Sequence, residues 1–223
     1  MEQERLHKIR QDVVEAGLKL VHSAMTVGTY GNISCRMDEG HIAVTPSGRD
    51  YEQLTPEDIV VTDMEGKKTD GALLPSSELP LHLAIYKRFP EAQAIVHTHS
   101  IYASALAVAH KDLPPVIEDL TQIVGGTVRC TEYTIAGTNE LGKRAVEAME
   151  GGCNAALLAN HGAVCWGRSM KEALNTAQIL EKGAQIYYIA RSFGTPVPLN
   201  EATVRTLHDF YINHYSKRQQ GEE

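Results

Sequence analysis

The sequence contains 223 residues, of which 43% are hydrophobic, and this is enough to bury one sizeable core. No proline-rich, serine-rich or low-complexity stretch suggests a linker, so we predict a single domain over residues 1–223. Lysine and arginine together number 21 against 28 acidic residues, which gives a net charge of −7, and no basic stripe with interleaved aromatic residues is present. Nucleic acid is therefore not an expected partner.

Cysteine spacing and the composition of the first residues predict the compartment. The four cysteines have neither C-x-x-C spacing nor a dense framework, which is typical of free thiols in a reducing compartment. Charged residues, among them Glu2, Glu4 and Arg5, occupy the place where a signal peptide needs an apolar core. The uncharged stretch 92–110 contains three histidines, which hydrocarbon penalises, so we do not interpret it as a membrane span. We expect a cytoplasmic protein with no membrane partner.

Hydrophobic periodicity and turn residues predict a mixture of helices and strands. In the first half of the chain, we expect a helix from Leu6 to about Met25, strands at 33–37 and 42–44, a capped turn at 55–58, a strand at 59–62 and a turn at 64–67. A helix then follows Ser76 and Ser77 and ends at Arg88, before a strand at 94–96, a helix to about Ala109 and a loop with prolines. In the last part, we expect a helix at 141–149, strands around His161, a long helix from Ser169 toward Phe193, and a short helix capped by Asn200. No repeated βαβ unit is present, so we predict an α/β or α+β fold with a largely antiparallel sheet between helices. Dinucleotide and P-loop glycine motifs are absent from the sequence.

Three histidines form the strongest chemical pattern. His97 and His99 close a strand-like segment, and the two-residue period of a strand turns both rings toward one side. His161 follows a second apolar run and precedes Gly162, as expected at a turn. Three neutral imidazoles leave a divalent ion with an open position, which is typical of a catalytic metal site. The alternative is a set of hydrogen-bonded core histidines.

Three further segments resemble anion-binding turns. They are Gly28–Asn32, Thr45–Gly48 and Pro75–Glu78, and each places small residues or hydroxyls at a turn. The last one opens a helix, where free backbone N–H groups and the helix dipole favour negative charge. A phosphate fits such a place, although the same residues also serve as ordinary turns or as an N-cap. Glu78 could either ligate the metal or act as a base, or it could be a first-turn glutamate favoured by the dipole.

Taken together and in order, these motifs resemble the class II aldolase/adducin family. The most similar branch is that of the fuculose-phosphate aldolases, and the ribulose-phosphate 4-epimerases are its sister branch. The segments that carry the resemblance are Gly31-Asn32-Ile33-Ser34, Thr45-Pro46-Ser47-Gly48, Pro75-Ser76-Ser77-Glu78, His97-Thr98-His99 and Asn160-His161-Gly162.

The resemblance implies a three-layer α/β fold and a homotetramer with active sites at subunit interfaces. It implies zinc, or another divalent ion such as Mn²⁺ or Co²⁺, held by His97, His99, His161 and Glu78, with Glu78 leaving the metal to act as the acid/base. It also implies a sugar phosphate substrate. The residues that would hold its phosphate are Gly31, Asn32, Ser47, Gly48, Ser76 and Ser77.

The activity implied by the resemblance is metal-dependent cleavage of a ketose 1-phosphate, such as L-fuculose 1-phosphate or a related deoxy sugar phosphate, into dihydroxyacetone phosphate and an aldehyde. On the same site, the alternatives are 4-epimerisation of a pentulose 5-phosphate, decarboxylation of a sugar acid phosphate, and dehydration of a thioribulose phosphate. An adducin-like assembly module without chemistry is the non-enzymatic alternative. The presence of all three histidines and of Glu78 disfavours that last interpretation.

One position departs from the aldolase pattern. Asp119 stands where fuculose-phosphate aldolases carry an interface tyrosine, and the epimerases place an aspartate there. Epimerases also tend to carry aspartate where this chain has Glu78, so the two markers disagree and we give Glu78 more weight. Tyr211 and Tyr215 are two alternatives for the missing hydroxyl. The remaining histidines fit no motif and are assigned structural roles: His7, His22, His41, His82, His110, His208 and His214.

Overall fold

A seven-stranded sheet lies between two layers of helices in the computed structural model, which describes residues 2–216. The helices are α1 (Glu2–His22), α2 (Leu79–Arg88), α3 (Ile101–Val108), α4 (Glu118–Val124), α5 (Asn139–Met149), α6 (Met170–Phe193) and α7 (Glu201–Phe210). The strands are β1 (Asn32–Arg36), β2 (His41–Val44), β3 (Val60–Asp63), β4 (Lys68–Asp70), β5 (Ala94–Thr98), β6 (Ala155–Leu158) and β7 (Gly162–Gly167). Two 3₁₀ turns, Tyr51–Gln53 and Pro56–Asp58, precede β3, and a π-helical turn, Tyr211–Tyr215, follows α7.

The strand order is β4-β3-β2-β1-β5-β7-β6, and every neighbouring pair is antiparallel. The predicted three-layer α/β fold with a largely antiparallel sheet is therefore confirmed. Strand β5 lies in the middle of the sheet, paired with β1 on one side and β7 on the other. Asn32 at the start of β1 stands directly opposite His97 of β5 in this register.

The two faces of the sheet bury separate hydrophobic cores, and β5 contributes to both. Ala94 and Val96 belong to the core covered mainly by α1, α3, α4 and α6, whereas Ile95 belongs to the core covered by α2 and α5. This alternation is the two-residue period of a strand that is buried on both faces. It places His97 on the same face as Ile95, toward α2.

One α-helix and one strand of the described residues were not predicted. The segment expected to be part of a loop contains α4, which ends at Gly125 in a left-handed conformation with φ of 97°. Its buried Leu120, Ile123 and Val124 pack on the core, but seven residues are too few to show helical periodicity in the sequence. Strand β4 is a three-residue edge strand of exposed polar residues, so no apolar alternation marked it.

The predicted start of the long helix is confirmed, with one difference in its cap. The Ser169 hydroxyl accepts a hydrogen bond from the backbone N–H of Glu172 at 3.1 Å, as a capping box requires. The Glu172 carboxylate, however, accepts from the backbone N–H of Arg168 at 2.6 Å instead of that of Ser169. Among residues 2–216, no helix combines the length and apolar character that a membrane crossing needs.

Candidate active site

Three histidine rings meet at one end of the central strands. His97 is the fourth residue of β5, His99 follows that strand by one residue, and His161 occupies the turn between β6 and β7. The ring centroids lie 4.7–4.9 Å apart, and the Nε2 atoms of His97 and His99 are separated by 3.0 Å. The structure therefore brings together the three side chains that the sequence pattern grouped.

Backbone contacts fix the orientation of His97. Its Nδ1 atom lies 2.9 Å from the carbonyl oxygen of Ala163, a residue of the neighbouring strand β7. Because a carbonyl only accepts, Nδ1 carries the proton and Nε2 points into the cluster. The turn that carries His161 contains Asn160 in a left-handed conformation with φ of 55°. The side-chain oxygen of Asn160 accepts from Nε2 of His110 at 2.6 Å, which holds this uncommon turn conformation in place.

Glu78 is the N-cap residue of α2, one position before the first helical turn, and its carboxylate is buried beside the histidines. Its Oε2 atom lies 3.1 Å from Nε2 of His97, and its Oε1 atom lies 3.6 Å from Nε2 of His161. The Asn32 amide also donates to Oε2 at 2.7 Å. Oε1 has no hydrogen-bond partner among the described residues.

Burial and neighbouring charges shift the pKa values of the acid and of His97 in opposite directions. Burial favours the neutral form of Glu78, but the charge and hydrogen bond of His97, together with His161 and Asn32, lower the pKa of this carboxyl below its usual value. Burial disfavours the charged form of His97, but the Glu78 carboxylate outweighs it and raises the pKa of that ring. Burial and the charge of His97 lower the pKa of His99 to about 3 and that of His161 to about 4. Two rings are thus neutral near pH 7, as metal ligands must be.

The residues present fit a divalent cation. The ligand atoms of His97, His99 and His161 all lie within 4.8 Å of one another. Two nitrogens bound to one zinc at about 2.0–2.1 Å lie roughly 3.3 Å apart at a tetrahedral angle. The 3.0 Å between the Nε2 atoms of His97 and His99 is close to that separation. Oε1 of Glu78, which has no hydrogen-bond partner within residues 2–216, offers a carboxylate oxygen to such a cation.

The predicted anion-binding segments lie next to one another. Pro46 and Pro75 form an antiparallel bridge, and the backbone N–H of Ser76 donates to the carbonyl of Thr45 at 3.0 Å. Ser47 donates through its backbone N–H to the Leu74 carbonyl at 3.0 Å, so the two loops run side by side. Of the predicted phosphate ligands here, Ser47, Gly48 and Ser77 are exposed, and Ser76 is buried, with its hydroxyl accepting from the N–H of Glu78 at 3.2 Å.

The third segment lies between the Thr45 loop and the histidine cluster, because Ile33 donates its backbone N–H to the Thr45 hydroxyl at 3.1 Å and Asn32 stands opposite His97. Gly31 has φ of 73°, and a Cβ atom at this position would lie 2.7 Å from the carbonyl oxygen of His97. Only glycine allows this approach, which brings Asn32 against Glu78. Tyr30 packs its ring on His99, with 5.5 Å between the ring centroids. The three predicted anion-binding segments are therefore neighbours, and Asn32 connects them to the acid.

Asp119 and the two tyrosines considered for the missing hydroxyl make contacts away from the histidine cluster. Asp119 is in α4, where one carboxylate oxygen pairs with Lys182 and the other accepts from the backbone N–H of Leu120. Tyr211 is buried, and its hydroxyl donates to Glu172 at 3.3 Å. Tyr215 is partly exposed beside Tyr211. In the described part of the chain, Asp119 and Tyr211 are thus already engaged elsewhere.

Sequence reasoning missed a buried polar network behind the acid. It left His82 as a structural residue, but Nε2 of His82 lies 2.5 Å from Oδ1 of Asn32, and Nδ1 lies 2.6 Å from Oγ of Ser34. The Ser34 hydroxyl in turn lies 2.9 Å from the hydroxyl of Tyr86. Glu78, His82 and Tyr86 are spaced four residues apart, so the sequence alone could have indicated that they share one face of a helix.

Comparisons with known proteins identify the family of this chain. Residues 11–188 match the family described as Class II Aldolase and Adducin N-terminal domain. The chain is 39% identical over 203 residues to a 5-deoxy-D-ribulose 1-phosphate aldolase from Bacillus thuringiensis serovar kurstaki, covering 91% of this chain and 94% of that protein. It is also 30% identical over 227 residues to an L-ribulose-5-phosphate 4-epimerase from Salmonella paratyphi C, covering 97% of this chain and 96% of that protein.

A solved structure extends the similarity to three dimensions. An L-fuculose 1-phosphate aldolase superposes with a TM-score of 0.88 at 36% sequence identity, covering 92% of this chain and 96% of that one. The chain therefore belongs to the class II aldolase and adducin family and is an enzyme of its metal-dependent aldolase type.

Proposed function

We propose that this enzyme is a zinc-dependent aldolase that cleaves a ketose 1-phosphate, namely L-fuculose 1-phosphate or a related deoxy sugar phosphate. The products are dihydroxyacetone phosphate and an aldehyde. The observation that carries the proposal is the position of Glu78, whose carboxylate contacts His97 and His161 and whose backbone N–H is held by Ser76 of the anion loop. One buried acid thus joins the cluster that could hold a metal to the loop that could hold a phosphate.

In the proposed site, His97, His99, His161 and Glu78 hold the metal in the absence of substrate. A divalent ion in this position supplies Lewis acidity toward a carbonyl oxygen. Glu78 acts as the general base in the condensation direction, where it removes a proton from the carbon next to the carbonyl of dihydroxyacetone phosphate, and returns it in the cleavage direction. Its Oε1 atom, which lacks a hydrogen-bond partner among the described residues, is the oxygen available to take that proton.

The phosphate is proposed to bind across the adjacent loops. Ser77 and Ser47 expose hydroxyls, and Gly48 exposes backbone without a side chain. The N-terminus of α2, which begins at Leu79, adds its positive dipole end beside Ser76. Gly31 and Asn32 lie beside these loops, because the next residue, Ile33, donates its backbone N–H to the hydroxyl of Thr45 at 3.1 Å. A phosphate bound here places the carbons of the substrate toward Glu78 and the histidines.

The names of the relatives support the substrate class. The 39% identical relative acts on 5-deoxy-D-ribulose 1-phosphate, and the superposed structure is named for L-fuculose 1-phosphate, so both are named for deoxyketose 1-phosphates. We place the substrate of this enzyme in the same class. The epimerase relative and Asp119 favour 4-epimerisation of a pentulose 5-phosphate as the second candidate, with decarboxylation of a sugar acid phosphate as a further reaction on the same site.

The proposal includes a homotetramer in the cytoplasm with active sites at subunit interfaces. Large apolar side chains on α6 are exposed, among them Tyr188 at 67% and Phe193 at 87%, and burial against another copy of the chain would remove them from water. The four cysteines are free, which agrees with a reducing compartment.

A substrate panel tests the proposal. The purified zinc-loaded enzyme is incubated with ketose 1-phosphates and pentulose 5-phosphates, and dihydroxyacetone phosphate is followed with a coupled reductase. We expect its release from one or more deoxyketose 1-phosphates and none from the pentulose 5-phosphates, with Glu78→Gln as the inactive control. Interconversion of pentulose 5-phosphates without any release of dihydroxyacetone phosphate would favour the epimerase instead.

A further inference from the structure

A buried row of hydrogen bonds runs from the interior of the protein to the acid of the site. It links the Tyr86 hydroxyl to Ser34 at 2.9 Å, Ser34 to Nδ1 of His82 at 2.6 Å, Nε2 of His82 to Oδ1 of Asn32 at 2.5 Å, and Nδ2 of Asn32 to Oε2 of Glu78 at 2.7 Å. All five side chains belong to buried residues, and His82 and Ser34 have no exposed surface.

The inner end of this row sets its direction. The buried Tyr86 hydroxyl has to donate its proton, and the hydrogen-bonding oxygen beside it is Ser34 Oγ. Ser34 then donates its own proton to Nδ1 of His82, which must be unprotonated to accept it. The remaining ring nitrogen, Nε2, carries the proton of the neutral ring and donates to Oδ1 of Asn32. Complete burial lowers the pKa of His82 to about 3, which agrees with a neutral ring.

The outer end requires the same direction. A carboxylate accepts but does not donate, so the nitrogen of the Asn32 amide has to face Glu78. This leaves the amide oxygen of Asn32 toward His82. If the amide were flipped, its oxygen would lie against the Glu78 carboxylate and its NH₂ group would meet the N–H of His82. Every proton along the row thus has an acceptor in one arrangement and not in the reverse.

We infer that His82 is a positioning residue for the acid: its Nε2–H group fixes the amide of Asn32, which in turn holds Glu78 in the orientation that serves proton transfer. The effect on turnover rests on the proposed function, whereas the hydrogen-bond arrangement does not. Among the described residues the Asn32 NH₂ group donates to Glu78, so its second N–H is available to substrate, and the same contact orients one of the proposed phosphate ligands. Among the described residues, the ring nitrogens of His82 make their hydrogen bonds with Ser34 and Asn32 and not with the histidine cluster.

The first test compares substitutions at His82. In His82→Leu the donor to Asn32 is lost, and we expect kcat to fall about 10- to 100-fold, the usual cost of losing a partner that orients a metal-site residue. We expect zinc content to stay near one per chain. His82→Gln places an amide N–H near the position of Nε2 and should recover part of kcat. Ile85→Val, on the same buried helix, is the control for core disturbance and should retain kcat.

A double-mutant cycle separates positioning from structure. If His82 acts through Asn32, His82→Leu should lower kcat strongly in the wild-type background and by less than about twofold in an Asn32→Ala background. Equal losses in both backgrounds would overturn the inference. A His82→Leu protein that keeps full kcat would also overturn it, as would a loss of kcat that zinc content and melting temperature explain completely.

A spectroscopic test needs no activity and works on the metal-free protein. Imidazole ¹⁵N NMR of the wild type, with the His82 resonances assigned by their loss in His82→Gln, should show protonated Nε2 and unprotonated Nδ1 at pH 7. A ring protonated on Nδ1 would overturn the hydrogen-bond arrangement. If this tautomer is found but no ketose phosphate is cleaved, the proposed function fails and the arrangement stands.

Discussion

The side-chain amide of Asn32 donates to Oε2 of Glu78 at 2.7 Å, across 46 positions of sequence. The same oxygen faces Nε2 of His97 at 3.1 Å, so it is held from two sides, while Oε1 has no hydrogen-bond partner among the described residues. One oxygen of the carboxylate therefore fixes the side chain and the other is available for a cation or a proton. This difference between the two carboxylate oxygens leads to the first two predictions.

The first prediction concerns the metal. His97→Ala removes one of three imidazoles, and we expect a large loss of bound zinc and a fall in activity beyond the roughly 10- to 100-fold cost of losing an outer partner. Metal analysis of the dialysed protein measures the occupancy. His41→Ala, at a ring that is partly exposed and paired with Asp38, is the matched control and should keep its zinc. Full zinc content and turnover in His97→Ala would reject the metal assignment.

The second prediction separates proton transfer from metal binding. Glu78→Gln keeps the size of the side chain and removes the base, so the histidines should still hold zinc. Exchange of the carbon-bound proton of dihydroxyacetone phosphate in deuterated water, followed by NMR, should slow by roughly two to four orders of magnitude. An unchanged exchange rate with normal zinc content would assign the base to another residue.

The third prediction concerns the phosphate. Ser77 exposes its hydroxyl in the loop before α2, and Ser77→Ala should weaken binding of a ketose 1-phosphate by about 1 to 3 kcal/mol, the usual value of a hydrogen bond to a charged group. This corresponds to roughly a 5- to 150-fold rise in Kd, measurable by titration calorimetry on Glu78→Gln protein. Ser23→Ala, at the exposed end of α1, is the control. Equal affinity for phosphorylated and unphosphorylated sugars would contradict this site.

The fourth prediction concerns the thiols. Burial raises the pKa values of Cys35, Cys130 and Cys153 to about 11 and also raises that of Cys165. The reactive thiolate is therefore scarce at pH 8 and becomes abundant only as the pH approaches 11. We expect slow iodoacetamide labelling of the native protein and rapid labelling of four thiols after denaturation. Fast labelling of native protein at pH 8 would contradict this account.

Local patterns determined much of the site. The two-residue period of a strand is a property of the backbone, so the sequence could predict that His97 in β5 and His99, one residue beyond it, share a side. The Ser169 cap of α6 was likewise readable, because a cap acts within one helical turn, whereas the N-cap of α2 is Glu78 and not Ser76 or Ser77. The short helix α4 and the polar strand β4 could not be predicted from local patterns. Helix α4 depends on packing against the core, and β4 depends on pairing with β3.

The buried network was decided by tertiary structure alone. The spacing of Glu78, His82 and Tyr86 predicts that they share a helix face. The local sequence does not indicate that this face contacts Asn32 and Ser34 of β1. That meeting follows from the position of β1 beside β5 in the sheet and from the packing of α2 over it. The sequence by itself determined which side chains could do the chemistry. The tertiary structure decided how the acid is held, because hydrogen bonds between residues about 50 positions apart exist only after the chain has folded.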